Sequence, residues 1–417
     1  MSSKEAFIVA FGRSPIARAG REKDGTFIPG ALSSVRPDDL AARVLELTLR
    51  TVPSLTFDQP TDVVWGTAFP EAEQGFNLGR LLVPLAGIPL SVTGHTTNRW
   101  CASGLQAIVT GFESVSSPYS AAQIAICGGV ESMSRLPMGG FSFAANPRLT
   151  QPGGDFYLSM GLTAEAVAKE FGISRADQDQ CAFESHRRAI AARELERPHI
   201  FPLRFEETVL VDGVPQKRSI SLAEDDGPRA DTSLGSLAKL RPAFLFDGTG
   251  TVTAGNSSQV SDGAGCAIVV SQRVLEECGL RPLARLVSYA TAGVEPSLMG
   301  IGPIEAFRRA LNVAGLSTRE IGLVGLNEAF AAQWLAVVRA LGLDPAIVNV
   351  NGGAIAIGHP LGATGARDFG DQCWEAIRRG VRYFAVGMCV GGGQGMVAIF
   401  ENVCPGSVLP GATPPAP

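Results

Sequence analysis

Two cysteines of this 417-residue chain sit in glycine-rich turns, and a histidine between glycine and proline sits in a third. They are Cys101 in N-R-W-C-A-S-G (98–104), Cys389 in C-V-G-G-G-Q-G (389–395) and His359 in N-G-G-A-I-A-I-G-H-P-L-G (351–362). Turns stripped of side chains let a substrate approach the backbone. Two thiols and an imidazole then offer a nucleophile, a base and a second acid. Cys101 falls at a predicted helix start, where free N–H groups and the helix dipole favour a thiolate. His359 is the candidate general base toward it. The N–H groups of the Cys389 turn suit an oxyanion hole, and a thiol there can shuttle a proton. Asn327, beside Glu328 at an apolar strand-to-helix junction, either caps a helix or orients a water or substrate. His95 in T-G-H-T-T (93–97) is a weaker candidate. His186 and His199 lie in charged sequence and read as surface residues. Cys127, Cys181, Cys266, Cys278, Cys373 and Cys404 read as packing or idle thiols.

Composition narrows the function class. A net charge of −5 with no basic run or C2H2 spacing speaks against nucleic-acid binding. The cysteines form no C-x-x-C pair and no zinc-type cluster, which favours reduced thiols in a reducing compartment. The start, M-S-S-K-E-A-F-I-V-A, lacks a signal-peptide core. No run of about 18 apolar residues spans a membrane, and no S-K-L ends the chain. These features lead to a cytoplasmic expectation. G-G-G-Q-G-M (391–396) fails as a dinucleotide loop, because Met396 stands where the third glycine is needed. Neither a cofactor nor a metal is expected.

Positioning these residues requires a scaffold. Short apolar runs alternate with amphipathic helices in an α/β pattern, and one unit occurs twice. The first copy is V-V-W-G-T-A-F (63–69), the Cys101 turn, then I-A-I-C-G-G (124–129). The second is L-V-G-L-N-E-A-F (323–330), the His359 turn, then F-A-V-G-M-C-V-G (384–391). Cys101 lies 32 residues after Phe69, and His359 lies 29 after Phe330. Leu105, Ile108, Val109 and Phe112 mark a buried helix face after the first turn, and Pro360 suits the first turn of a helix after the second. Two such halves packed about a pseudo-two-fold axis bring Cys101 and His359 face to face. A polar, loop-rich stretch separates them, with helices read over 160–172 and 177–189.

Seven motifs carry a family resemblance: N-R-W-C-A-S-G-L-Q-A, G-G-V-E-S-M-S, M-G-L-T-A-E, T-A-G-N-S-S-Q-V-S-D-G-A, N-E-A-F-A-A-Q, N-G-G-A-I-A-I-G-H-P-L-G-A-T-G-A-R and C-V-G-G-G-Q-G. In this order and register, over residues 5–402, the chain resembles the thiolases. G-F-N-L-G-R (75–80) and N-E-A-F-A-A-Q are most similar to degradative 3-ketoacyl-CoA thiolases. The resemblance implies a thiolase fold of duplicated αβαβα layers: 1–132 with 262–281 as one half, 133–261 as an inserted CoA-binding loop domain, 282–402 as the other half and 403–417 as a disordered tail.

It also implies ping-pong thiolysis of a 3-ketoacyl-CoA by CoA, fatty-acid β-oxidation chemistry with an acyl group held on Cys101. His359 deprotonates Cys101, and Cys389 exchanges protons with acetyl-CoA or the incoming CoA. His359 with a water held by Asn327 forms one oxyanion hole; the amides of Cys101 and Gly391 form the other. For CoA, Arg229 and Ser236 match nucleotide-end positions, Ser258 and Met160 match the pantetheine arm, and Phe244 matches a position near the adenine. Because L-F-D-G-T-G (245–250) is two residues longer than the common form, Phe246 competes with Phe244. Ser159 stands where short-chain relatives carry histidine, which favours longer acyl chains. Biosynthetic acetoacetyl-CoA thiolase is the rival reading; a ketoacyl synthase or a non-enzyme scaffold fits the retained residues less well. The resemblance further implies a homodimer or homotetramer, with association with other β-oxidation subunits open. The role of the long 19–34 loop is open too.

Overall fold

The computed structural model describes residues 4–23, 25–59, 61–151, 155–211 and 213–404. Of the expected tail only Val403 and Cys404 fall among them; 405–417 lie outside. Nine strands form the main sheet path: β1 (Ala6–Arg13), β2 (Thr61–Gly66), β3 (Thr93–Thr97), β4 (Ile124–Ser132), β5 (Ser261–Ser271), β6 (Ala284–Gly293), β7 (Ile321–Leu326), β8 (Tyr383–Val390) and β9 (Gln394–Asn402). Their spatial order is β7-β8-β9-β6-β1-β5-β4-β2-β3. β1 and β6 join at a single antiparallel pairing, Ile8 with Ala284.

That seam divides two copies of one topology. In the first, β2 is parallel to β3 and β4, and the ladder turns antiparallel through β4-β5-β1. In the second, β7 is parallel to β8, and β8-β9-β6 is antiparallel. Where β3 flanks β2, a parallel bridge from Val348 flanks Val324. The repeat read from three sequence landmarks is therefore present strand by strand.

Apolar patterning explains the layers. β4 and β5 are buried at every position, as expected for strands covered on both faces. Neighbouring residues point to opposite faces, so Cys127 joins the central core and Ile126 an outer one. The central core contains α3 (Ser103–Ser116) and α8 (Leu361–Arg379), with Leu105, Ile108, Phe369 and Trp374 between the two sheets. The outer cores hold α1 (Pro37–Arg50) and α2 (Leu78–Leu85) on the first sheet. On the second sheet they hold α6 (Gly302–Ala314) and α7 (Ala331–Leu341). The result is five layers, α/β/α/β/α.

α3 and α8 meet backbone to backbone. A Cβ added at Gly104 would lie 2.8 Å from the Gly362 carbonyl, and one at Gly365 would lie 2.5 Å from the Leu105 amide. Only glycine permits that approach. It sets the turn before α3, carrying Cys101, beside the turn before α8, carrying His359. Pro360 is the N-cap of α8 rather than its first-turn residue.

The stretch between the halves holds α4 (Met160–Glu170), α5 (Arg175–Ala191) and a charged hairpin of Leu203–Val211 with Val214–Leu222. Arg13 of β1, 1% exposed, anchors it through Asp225 at 2.7 and 2.9 Å. The long loop at 19–34 contains a hairpin, Gly20–Lys23 paired with Thr26–Pro29. Two histidines correct the surface expectation. His199 is buried, with Nε2 2.9 Å from Asp371 Oδ1 and its ring against Trp374. His186 is buried too, and its Nδ1 accepts from the Arg229 amide. Charged neighbours in sequence did not mean solvent, because both histidines face packed elements.

Candidate active site

Cys101 lies in a 3-10 turn, Trp100–Ala102, that runs directly into α3. Trp100 has φ +40, a strained value for a bulky residue. The motif residues brace this turn. Asn98 accepts from the Trp100 amide at 2.8 Å and donates to the Ala68 carbonyl at 3.0 Å. Ser103 Oγ accepts from the Arg99 amide at 2.9 Å and donates to the Trp100 carbonyl at 2.6 Å.

The sequence led us to expect a stabilised thiolate at Cys101. The structure corrects this: burial pushes the thiol up to about 12, with the Gly391 amide working the other way and the charge of Glu131 adding to the rise. The resting residue is a thiol.

His359 is buried at the start of α8. Its Nδ1 lies 2.6 Å from Thr364 Oγ1, whose hydroxyl points at the Pro360 carbonyl, 2.8 Å away. A hydroxyl has one hydrogen, so Thr364 accepts from Nδ1–H. That assigns the lone pair to Nε2. Nε2 lies 3.3 Å from Asn327 Nδ2. Burial, with a contribution from Arg367, pulls His359 down to about 3. The imidazole is neutral at working pH.

Asn327 follows β7 and does not cap α7; Phe330 occupies that position. Its amide reaches both His359 and the Cys389 thiol. Its Oδ1 is buried without a partner. Asn349, at φ +49, clamps this loop by accepting from the Leu326 amide and donating to the Leu326 carbonyl and Glu328 Oε1. Cys389 is fully buried near the end of β8. Desolvation raises its thiol above the ordinary range, and the nearby Cys101 adds to this. Gly391 lies against the Cys101 sulfur, and a Cβ there would sit 3.6 Å from Met160 Sδ and 3.7 Å from the Trp100 ring. The fold thus gathers Cys101, His359, Asn327, Cys389 and Gly391. His95 stays outside, half-exposed on β3 with Nδ1 3.1 Å from Asp62.

The five residues matched to CoA contacts separate into two groups. Met160 and Phe244 pack in one apolar cluster with Phe330, Met299 and Cys389. The Phe244 and Phe330 rings meet edge to face, with centroids 6.1 Å apart. Ser258 adjoins this cluster, its amide donating to the Ala329 carbonyl. Arg229 and Ser236 are exposed, and Ser236 sits in the capping box of the short helix Leu234–Ala238. Phe244 therefore packs with Met160 and Phe330. Phe246 is 83% exposed.

Residue-type reasoning missed Thr364, Glu131 and Glu328. Each lies inside a quoted motif, and the available signal was a polar group in an apolar context: the acid of G-G-V-E-S-M-S, the threonine five residues after His359, the acid after Asn327.

Comparison with known proteins converges on one family. Residues 14–273 match the thiolase N-terminal domain and 280–402 the thiolase C-terminal domain. The chain is 44% identical over 401 residues to a 3-ketoacyl-CoA thiolase of Bacillus subtilis (strain 168), spanning 95% of this chain and 99% of that protein. It is 42% identical over 422 residues to the 3-oxoadipyl-CoA/3-oxo-5,6-dehydrosuberyl-CoA thiolase of Escherichia coli (strain K12), spanning 96% and 100%. The crystal structure of human mitochondrial 3-ketoacyl-CoA thiolase in complex with CoA superposes with a TM-score of 0.82 at 35% identity, over 96% of this chain and 98% of that one. With both domains matched in order and the fold shared along nearly the whole length, the chain belongs to the thiolase family.

Proposed function

We propose that this enzyme, an acyltransferase, cleaves 3-ketoacyl-CoA with CoA to acetyl-CoA and a shortened acyl-CoA, in the manner of fatty-acid β-oxidation. The observation that carries the reading is the junction of a half-buried thiol and a buried one, a neutral imidazole with its lone pair on Nε2, and the Gly391 amide.

In the first half-reaction His359 Nε2 takes the Cys101 proton and the sulfur attacks the keto carbon. The Cys101 and Gly391 amides receive the oxyanion. The tetrahedral adduct collapses, the C2–C3 bond breaks, and its electron pair passes to C2. Cys389 protonates that carbon, and acetyl-CoA departs. In the second, the Cys389 thiolate takes the proton of the incoming CoA thiol. The CoA sulfur attacks the acyl group on Cys101, and His359 returns the proton to the Cys101 sulfur. His359 and a water on Asn327 Oδ1 hold the thioester oxygen. Each donor aimed at developing charge is worth about 2.7–4 kcal/mol. The steps balance with CoA as substrate and no further cofactor.

Met160, Phe244 and Ser258 hold the pantetheine arm; Arg229 and Ser236 meet the nucleotide end. The segment 133–261 is the CoA-binding unit between halves 1–132 with 262–281 and 282–402. The enzyme works as a homodimer or homotetramer, with other β-oxidation subunits as candidate partners. Among the described residues no helix is long and apolar enough to cross a membrane. We place the enzyme in the cytoplasm, where a reducing milieu keeps both thiols free. The test is thiolysis of 3-ketoacyl-CoA substrates of four to sixteen carbons. Turnover across longer chains supports the degradative reading; turnover of acetoacetyl-CoA alone refutes it in favour of the biosynthetic one.

A further inference from the structure

Glu131, the penultimate residue of β4, is 1% exposed and has no role in the steps above. Its Oε2 accepts from the Ala68 amide at 2.7 Å and the Gly362 amide at 2.8 Å. Its Oε1 accepts from Gln74 Nε2 at 2.6 Å, and from the Phe69 amide and Thr67 Oγ1 at 3.4 Å. Gln74 in turn donates to Thr67 Oγ1 at 2.8 Å and accepts from the Ser132 amide at 2.7 Å.

These contacts cross between the halves. Thr67 and Ala68 underlie the Cys101 turn, where Ser103 Oγ lies 3.2 Å from the Thr67 carbonyl and Asn98 donates to the Ala68 carbonyl. Gly362 is three residues beyond His359, in the first turn of α8. A Cβ at Gly362 would lie 2.7 Å from Glu131 Oε2, so glycine is what lets the carboxylate reach across. Four of Glu131's five partners are N–H groups, which favour the carboxylate form, while burial works the other way and pushes the group up to about 7.

We propose that Glu131 is a positioning residue for thiolysis: it clamps the His359 turn against the Cys101 turn and sets a buried negative charge beside the Cys101 sulfur. The titratable groups that bear on that sulfur are Glu131 from β4 and Cys389 from β8; the Gly391 amide is the polar group opposite. With the carboxylate in place, Cys101 rests as a thiol and ionises only as His359 takes its proton.

Two variants separate the clamp from the charge. Glu131→Gln keeps the shape, removes the charge and turns an NH2 toward donors. Glu131→Asp keeps the charge and shortens the reach. The clamp predicts that both lose at least tenfold in kcat for thiolysis, with a smaller change in KM. The charge predicts that only Glu131→Gln moves the pH profile of Cys101 alkylation by iodoacetamide, to lower pH by about one unit. Asp restores the wild-type profile. If the Gln variant does not fold, the Asp variant still carries the kinetic arm, and wild-type kcat in it overturns the clamp. An alkylation profile unmoved in Glu131→Gln overturns the charge. The kinetic arm rests on the thiolysis reading, whereas alkylation needs no substrate. Failure of that reading therefore shows as an inactive wild type with the alkylation shift intact.

Discussion

Thr364→Val removes one oxygen beneath the proposed general base, His359, and leaves the side-chain shape nearly unchanged. In the native site the threonine hydroxyl donates to the Pro360 carbonyl and accepts from His359 Nδ1–H at 2.6 Å. Valine leaves that N–H buried with no acceptor, which costs about 1–3 kcal/mol. The ring can escape by shifting its hydrogen to Nε2. There it meets Asn327 Nδ2, another donor, at 3.3 Å, and the lone pair needed for Cys101 is gone. If the whole penalty falls on the competent tautomer, kcat drops by about 5- to 150-fold, since 1.36 kcal/mol is a factor of ten. Steady-state thiolysis and the rate of acyl-label incorporation on Cys101 both read this loss. Thr364→Ser keeps the hydroxyl and should return most of the rate. A Val variant within twofold of wild type, or a Ser variant as slow as Val, refutes the tautomer argument.

Cys101→Ala and Cys389→Ala should each abolish thiolysis, but only the Cys389 variant should still take up acyl label; label retained on Cys101→Ala would overturn the nucleophile assignment. His186 is pulled down to about 4 by burial, with Arg229 contributing. Between pH 6.5 and 4 the unfolded chain therefore binds a proton that the folded one does not, and stability falls as pH falls. Relative to His186→Gln, wild type should lose about 1.4 kcal/mol per pH unit across that window; parallel denaturation curves for the two proteins at pH 7 and 5 would count against it. Arg13→Leu strips the hydrogen-bonded cation from buried Asp225, leaving it Arg197 as a nearby charge, and leaves Asp371 with His199, Arg367 and Arg197. We expect a loss of about 3–5 kcal/mol, read as a lower denaturant midpoint, and a midpoint within experimental error of wild type would contradict the anchoring role.

Legibility from sequence followed the range of the interaction. The helix face Leu105, Ile108, Val109 and Phe112 is a periodic local signal, and these residues are buried. Glycine-rich turns announced Cys101, His359 and Cys389. His199 was misread because its partners, Asp371 and Trp374, are 172 and 175 positions away in the chain. The thiolate expectation at Cys101 failed for a related reason. A helix start is visible locally, but the desolvation that outweighs it comes from elements packed around it later.

By itself, the sequence determined the repeated unit, the turns that carry the reactive groups and the residue types able to do the chemistry. Period, glycine placement and polar residues in apolar runs are written along the chain. Only the tertiary structure decided which atoms meet. The tautomer of His359 comes from Thr364 and Pro360, the crossing of the halves from the Gly104–Gly362 approach, and the inter-half clamp from Glu131 reaching Gly362. Hydrogen bonding and desolvation act over a few ångströms in space, and residues 231 positions apart reach that distance only once both sheets have closed on α3 and α8.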